Sequence, residues 1–207
     1  MIPSAMSQAY LQIRNEYLAQ AWARSPEELA VCLPGEIKGN FLSFPAFGEA
    51  CLLGREEIML GGKAAAGPVG LLIALYASGV PDTPVQLQPP KSFKELPNSM
   101  PYHGAFAANA EQILVPRVDQ INLHQERIVS GFSGSENADA LSGDFSFTLF
   151  PLPRVPLYYI FHLPDEDFPA AVTCLFANNA SLFMPIDGLA DVAEYTAQKI
   201  ISIIQES

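Results

Sequence analysis

Cysteine is scarce in this 207-residue chain, which holds only Cys32, Cys51 and Cys174. The three are odd in number and widely spaced, and none forms a CxxC pair. That excludes a disulfide framework and leaves no local zinc or iron–sulfur ligand set. The pattern fits reduced, buried thiols in a cytoplasmic protein, and no cofactor is read from it. Positive charge is scarce too. Eleven Lys and Arg stand against 22 Asp and Glu, for a net charge of −11. From Ile128 to Ser207 ten carboxylates meet only two basic residues, Arg154 and Lys199. Such a surface repels nucleic acid and anionic membranes, and no basic stripe interrupts it. Long apolar runs are missing as well. The longest, Val69 to Val80, is about a dozen residues, too short to span a bilayer. No basic segment followed by an apolar one opens the chain, so no signal peptide is read.

What is present is core material and proline. Apolar residues make up 49% and charged residues 16%, the balance of a folded rather than a disordered chain. We read residues 1–207 as a single domain, with 1–64 packed on the rest. Of 18 prolines, eleven fall in 81–101 and 151–169. Proline has no amide donor and a fixed φ, so these stretches predict extended connections and strand ends.

Ser4 to Ala23 predicts a helix with Met6, Tyr10, Ile13 and Tyr17 on one face, widened by Leu11, Leu18 and Trp22. Ser25-Pro26-Glu27-Glu28 predicts a capping box and a short helix. Short antiparallel strands are expected over 39–60, with a turn at Gly54-Arg55. Gly61-Gly62-Lys63 is not a phosphate loop, because Ala64 stands where Ser or Thr is needed. Pro68 to Ser78 predicts a buried helix, Pro101 to Val115 another, and Pro116 to Ile128 a further one. Ser130 to Gly143 reads as a loop. Asp144–Phe150, Leu157–Leu163 and Ala171–Phe176 read as strands. The middle one is apolar on both faces, the mark of a strand covered on both sides. A helix from Ile186 to Gln205, with Asp187 as its cap, closes the chain. Strands and helices in runs, without βαβ alternation, give an α+β class: a mainly antiparallel sheet packed with N-terminal, middle and C-terminal helices.

Two charge groups flank the central strand. Arg154 sits between Pro153 and Pro156, which hold its backbone and aim its guanidinium. It is expected to pair with Asp165, Glu166 or Asp167, or else to bind an anion. Asp165-Glu166-Asp167, just beyond His162, is a carboxylate set able to hold a hard cation, or a solvated loop whose acids cap the next turn. About eleven residues separate the two groups, roughly 30 Å or more of extended chain. That span favours two structural anchors over one catalytic site. His103 and His162 are possible general bases, but no nucleophile elbow accompanies them.

Phe93-Lys94-Glu95-Leu96-Pro97, Tyr102, Phe106, Gly143-Asp144, Pro153-Arg154-Val155-Pro156-Leu157, Asp165 to Ala170 and Leu175-Phe176 together resemble the domain of unknown function 3786 family. The resemblance covers about residues 65–204. Asn98-Ser99 and Ala177-Asn178 depart from the family pattern. The resemblance implies an origin in anaerobic prokaryotes. Some similar proteins add a cysteine-rich iron–sulfur segment, which this chain lacks. No activity comes with the family. Two functions are therefore carried forward. One is a non-catalytic module that binds a partner protein or small ligand at Arg154, His162 and Asp165–Asp167, accessory to anaerobic redox or one-carbon metabolism. The other is a metal-dependent hydrolase or transferase using Asp165, Glu166 and Asp167.

Overall fold

A computed structural model describes residues 5–136 and 143–206. Two helices lead, α1 (Ala5–Ala21) and α2 (Pro26–Cys32). A five-stranded antiparallel meander follows: β1 (Glu36–Lys38), β2 (Phe41–Ala46), β3 (Glu49–Leu53), β4 (Ile58–Leu60) and β5 (Lys63–Ala64). Helix α3 (Pro68–Gly79) leads into the proline-rich connection. The second sheet has the order β6-β10-β9-β8-β7, all antiparallel. Its strands are β6 (Lys91–Ser92), β7 (Ser135–Glu136), β8 (Phe145–Leu152), β9 (Val155–His162) and β10 (Ala171–Phe176). Between β6 and β7 lie α4 (His103–Phe106), α5 (Val118–Leu123) and α6 (Gln125–Gly131), and α7 (Ile186–Gln205) ends the fold. This is the expected α+β class, with two antiparallel sheets.

Local chemistry accounts for most boundaries. Ser25 Oγ accepts from the Glu28 amide (3.2 Å) and Glu28 returns a carboxylate to the Ser25 amide (3.0 Å), so α2 starts on a full capping box. Pro68 occupies the first turn of α3, where no amide partner is needed. A two-residue turn, Pro153-Arg154, joins β8 to β9, with Leu152 facing Val155. β9 is the central strand, and its residues Val155 to Phe161 are all buried. One of its faces carries Leu157, Tyr159 and Phe161, and the Tyr159 and Phe161 rings join Phe147 and Phe145 of β8. On the other face the Tyr158 hydroxyl donates to the Leu87 carbonyl (3.1 Å), so the proline-rich connection lies on the sheet. Asn179 pins the same connection, accepting from the Gln86 amide and donating to the Pro84 carbonyl. One cluster of buried side chains runs from Leu18 to Ile204.

Four expectations change. Helix α1 turns inward on Arg14, Leu18 and Ala21, with Trp22 buried just past its end, while Tyr10 and Ile13 are 36% and 42% exposed. Arg14 and Trp22 reach the Glu56 and Gly54 carbonyls, which decides the face against simple hydrophobicity. The helix expected over Pro101–Val115 is broken: α4 passes into a π-helical turn, Ala107–Gln112. Asp187 does not cap α7. Its N-cap is Pro185, and Asp187 Oδ1 accepts from the adjacent Gly188 amide (2.9 Å). Of the Ser130–Gly143 loop, Ser135–Glu136 pairs with β8 as β7, and residues 137–142 lie outside the described ones.

Candidate functional site

Arg154 is consumed inside the fold. Its Nε donates to the Cys32 carbonyl (2.7 Å), one terminal nitrogen to the Thr83 carbonyl (2.7 Å), and the other to the Val31 carbonyl (2.8 Å) and Asp82 (3.2 Å). Its backbone amide donates to the Tyr76 hydroxyl (3.1 Å). The partners are the C-terminal carbonyls of α2, which have no amides of their own, and the start of the proline-rich connection. The expected pair with the Asp165–Asp167 loop is replaced by Asp82, because β9 (Val155–His162) lies between the two groups and keeps them at opposite ends. With its side chain 13% exposed and four acceptors engaged, this guanidinium ties the β8–β9 turn to α2 and to the start of the proline-rich connection, and the Arg154 backbone amide adds α3 through Tyr76.

Asp165, Glu166 and Asp167 are all exposed, and so is His162. Asp165 Oδ1 accepts from the Asp167 (2.9 Å) and Phe168 (2.6 Å) amides, closing its own turn. Phe168 beside them is 71% exposed. Among the described residues no three His, Cys, Asp or Glu side chains gather as a metal-ion group.

Two thiols are held protonated by their surroundings. Burial pushes Cys51 up to about 12 and raises Cys174 well above the ordinary thiol range. Cys174 sits opposite Tyr159 in the β9–β10 register. Tyr159 is fully buried; among the described residues its hydroxyl makes no hydrogen bond of good geometry and faces only the Cys174 thiol, and burial first, then that thiol, raises its pKa. Glu111, on the π-helical turn, accepts from the Cys174 amide (2.9 Å). It thereby fills the place of a neighbouring strand where β6 has stopped. Burial holds its carboxyl above the usual range, against the Cys174 amide and Lys94.

A cleft of about 390 Å³ lies between the first turns of α3 and one face of α7. Pro68, Val69, Leu72 and Tyr195 give it apolar walls, and Asp191, Glu194 and Gln198 its polar side. Glu194 is satisfied: Asn109 of the π-helical turn donates to it (2.9 Å), as does Gln198 (3.3 Å). Asp191 has neither a hydrogen-bond donor nor a cation among the described residues. Loss of hydration, then Glu194 and Asp187, hold its carboxyl above the usual range. Tyr195 is braced edge-on by Phe47, with ring centroids 4.7 Å apart. None of these residues stood out in the sequence. The available signal was Asp187, Asp191, Glu194 and Gln198 at helical spacing along one stripe of α7.

A family model described as a domain of unknown function, DUF3786, matches residues 25–199. The match begins some 40 residues before the region of resemblance in the sequence, and takes in α2 and the first sheet. No curated protein matches the chain, and no solved structure does.

Proposed function

The chain belongs to the domain of unknown function 3786 family, and we propose that it works as a non-catalytic binding module, one folding unit whose ligand site is the α3–α7 cleft. The ligand class is an amine with an apolar body, free or as a side chain of a partner protein. The unpaired Asp191 carboxylate, exposed at the rim of the cleft, carries this reading. A carboxylate at the edge of an apolar wall, beside a second carboxylate, gains from an ammonium or guanidinium partner whose apolar body enters the cleft. The volume suits a small molecule, and the apolar wall with few polar groups is the usual build of such sites. The partner is neither an acidic polymer nor a membrane surface, given a net charge of −11. A cytoplasmic setting is part of the proposal, supported by three free, buried cysteines. So is the accessory role in anaerobic redox or one-carbon metabolism that the family resemblance implies. No helix among the described residues is long and apolar enough to cross a membrane.

The test is a thermal-shift and NMR titration with spermidine, tyramine and lysine methyl ester, each beside its neutral isostere. An amine at a hundredfold excess over its Kd should stabilise the fold by about 2.7 kcal/mol, and its isostere should not. Bound amine should also lower the Asp191 pKa, and Asp191→Asn should abolish the shift. Equal effects of amine and isostere, or unchanged binding in Asp191→Asn, would sink this reading.

A further inference from the structure

The β2–β3 hairpin tip is built against local preference. Phe47 and Gly48 form its two-residue turn, with φ of 50° and 77°. Glycine suits both positions, and a bulky residue there is strained. Phe47 is nevertheless buried at 1%. Three ties hold it: its amide donates to the Pro151 carbonyl of β8 (2.6 Å), its ring meets Tyr195, and Glu49 two residues on is ion-paired with Lys199 of α7. A Cβ on Gly48 would come within 2.9 Å of the Gly131 carbonyl, so the tip fits closely at that point. Elsewhere it is flanked by space. A cavity of about 520 Å³ and one of about 480 Å³ both use Gly48, Glu49 and Gly131 as walls. Ser133, a second non-glycine residue at positive φ (51°), borders the first. The tip is a partition between two voids at the seam of the two sheets.

The second void has a distinct chemistry. Of the four cavities described, it is the one lined by two basic side chains, Arg127 and Lys199, with the Ser130 and Ser202 hydroxyls beside them. Elsewhere arginines are spent on backbone: Arg24 on α3 carbonyls, Arg117 on Ile113, Arg154 on α2. Here the cations meet the chain's own carboxylates, Lys199 with Glu49 and Arg127 with Glu206 at 3.9 Å. Both pairs keep access to solvent, the Lys199 and Glu49 side chains at 29% and 33% and the Arg127 and Glu206 side chains at 48% and 71%. We propose that this void is an oxyanion site for a phosphate- or carboxylate-bearing ligand, and that Glu49 is its displaceable stand-in. Binding takes Lys199 from Glu49 and releases the strained hairpin tip from the seam. The site shares no lining residue with the cleft that holds Asp191, although the Phe47–Tyr195 contact joins their walls, and the proposal does not depend on the reading of that cleft.

Inorganic phosphate and succinate, titrated at constant ionic strength and followed by NMR, test it. At least one should bind wild type, and the tighter one identifies the ligand as phosphorylated or carboxylic. Glu49→Gln should tighten binding at least about fivefold by removing the internal competitor, and Lys199→Met should abolish it. Glu206→Gln, on the exposed last turn, is the second variant if Glu49→Gln fails to fold; it should tighten binding in the same direction. Amide exchange at Phe47 should quicken in the bound state, since its bond to Pro151 opens. Asp191→Asn should change nothing here. Absence of binding in wild type and in both Gln variants, or equal affinity in all of them, would overturn the proposal and leave Glu49–Lys199 a fixed brace.

Discussion

The two ends of β9 carry the charges that stand out most in the sequence, and the fold treats them in opposite ways. At one end Arg154 is nearly buried and bonded to three carbonyls and one carboxylate. At the other end Asp165 bonds only within its own turn, and Glu166 and Asp167 stay exposed. Helix ends offer orphan carbonyls, and one guanidinium fork can satisfy several at once. Loop carboxylates find amides within two or three residues, so they need no distant partner. A charge becomes a fold determinant when its partners are remote. The largest effect should therefore follow Arg154→Met, which keeps bulk but strands those carbonyls. A loss of at least about 3 kcal/mol is expected in urea unfolding, as one cooperative transition. A loss below about 1 kcal/mol would erase the contrast between the ends.

The middle of the strand sharpens the comparison, because there a polar group, the Tyr159 hydroxyl, has no well-formed hydrogen bond among the described residues. Tyr159→Phe removes an unsatisfied buried hydroxyl and should raise stability by about 1 kcal/mol. A loss instead would reveal a partner for that hydroxyl, a trapped water being the simplest. Next to it, Glu111→Gln keeps an acceptor for the Cys174 amide and removes a desolvated charge. The wild-type carboxyl binds its proton more tightly folded than unfolded. Its charge therefore costs stability at every pH above the raised folded value. Glu111→Gln should be the more stable protein near neutral pH. That advantage should shrink as pH falls through the folded pKa and vanish below the unfolded carboxyl value. Midpoints that run parallel from neutral to acid would contradict the assignment.

The sequence carried the elements well where pattern and local chemistry agree: β9, β10, α7 and the Ser25 box fall where periodicity and capping put them. It failed where the deciding contact is remote. Arg154 meets carbonyls 122, 71 and 123 residues away in the chain, and no side-chain pattern announces a backbone acceptor. The face of α1 turned for the same reason, with Arg14 and Trp22 reaching the carbonyls around the β3–β4 turn. The π-helical turn left no propensity signal, since Ala107 to Gln112 is good α-helix sequence. Its register is set by Glu111 and Asn109 finding β10 and α7. The cleft went unread because its carboxylates also suit the start of a helix.

The open end of β9 should give the smallest effects. Asp165→Ala removes one acceptor for two exposed amides and should cost roughly 0.5–1 kcal/mol. Glu166→Gln with Asp167→Asn should stay within about 0.5 kcal/mol of wild type, as surface changes without partners do. The sharper version adds metal. Three acids in a row project in different directions, and one of them already spends an oxygen on its own turn, so a divalent ion would find at most a fragment of a coordination shell. Millimolar Mg²⁺, Mn²⁺ or Zn²⁺ should therefore shift the unfolding midpoint equally in wild type and in the double variant. A shift confined to wild type would make this end of β9 a ligand site after all. The two ends would then differ as a structural anchor and a metal centre, and the hydrolase or transferase reading would take precedence over the binding module.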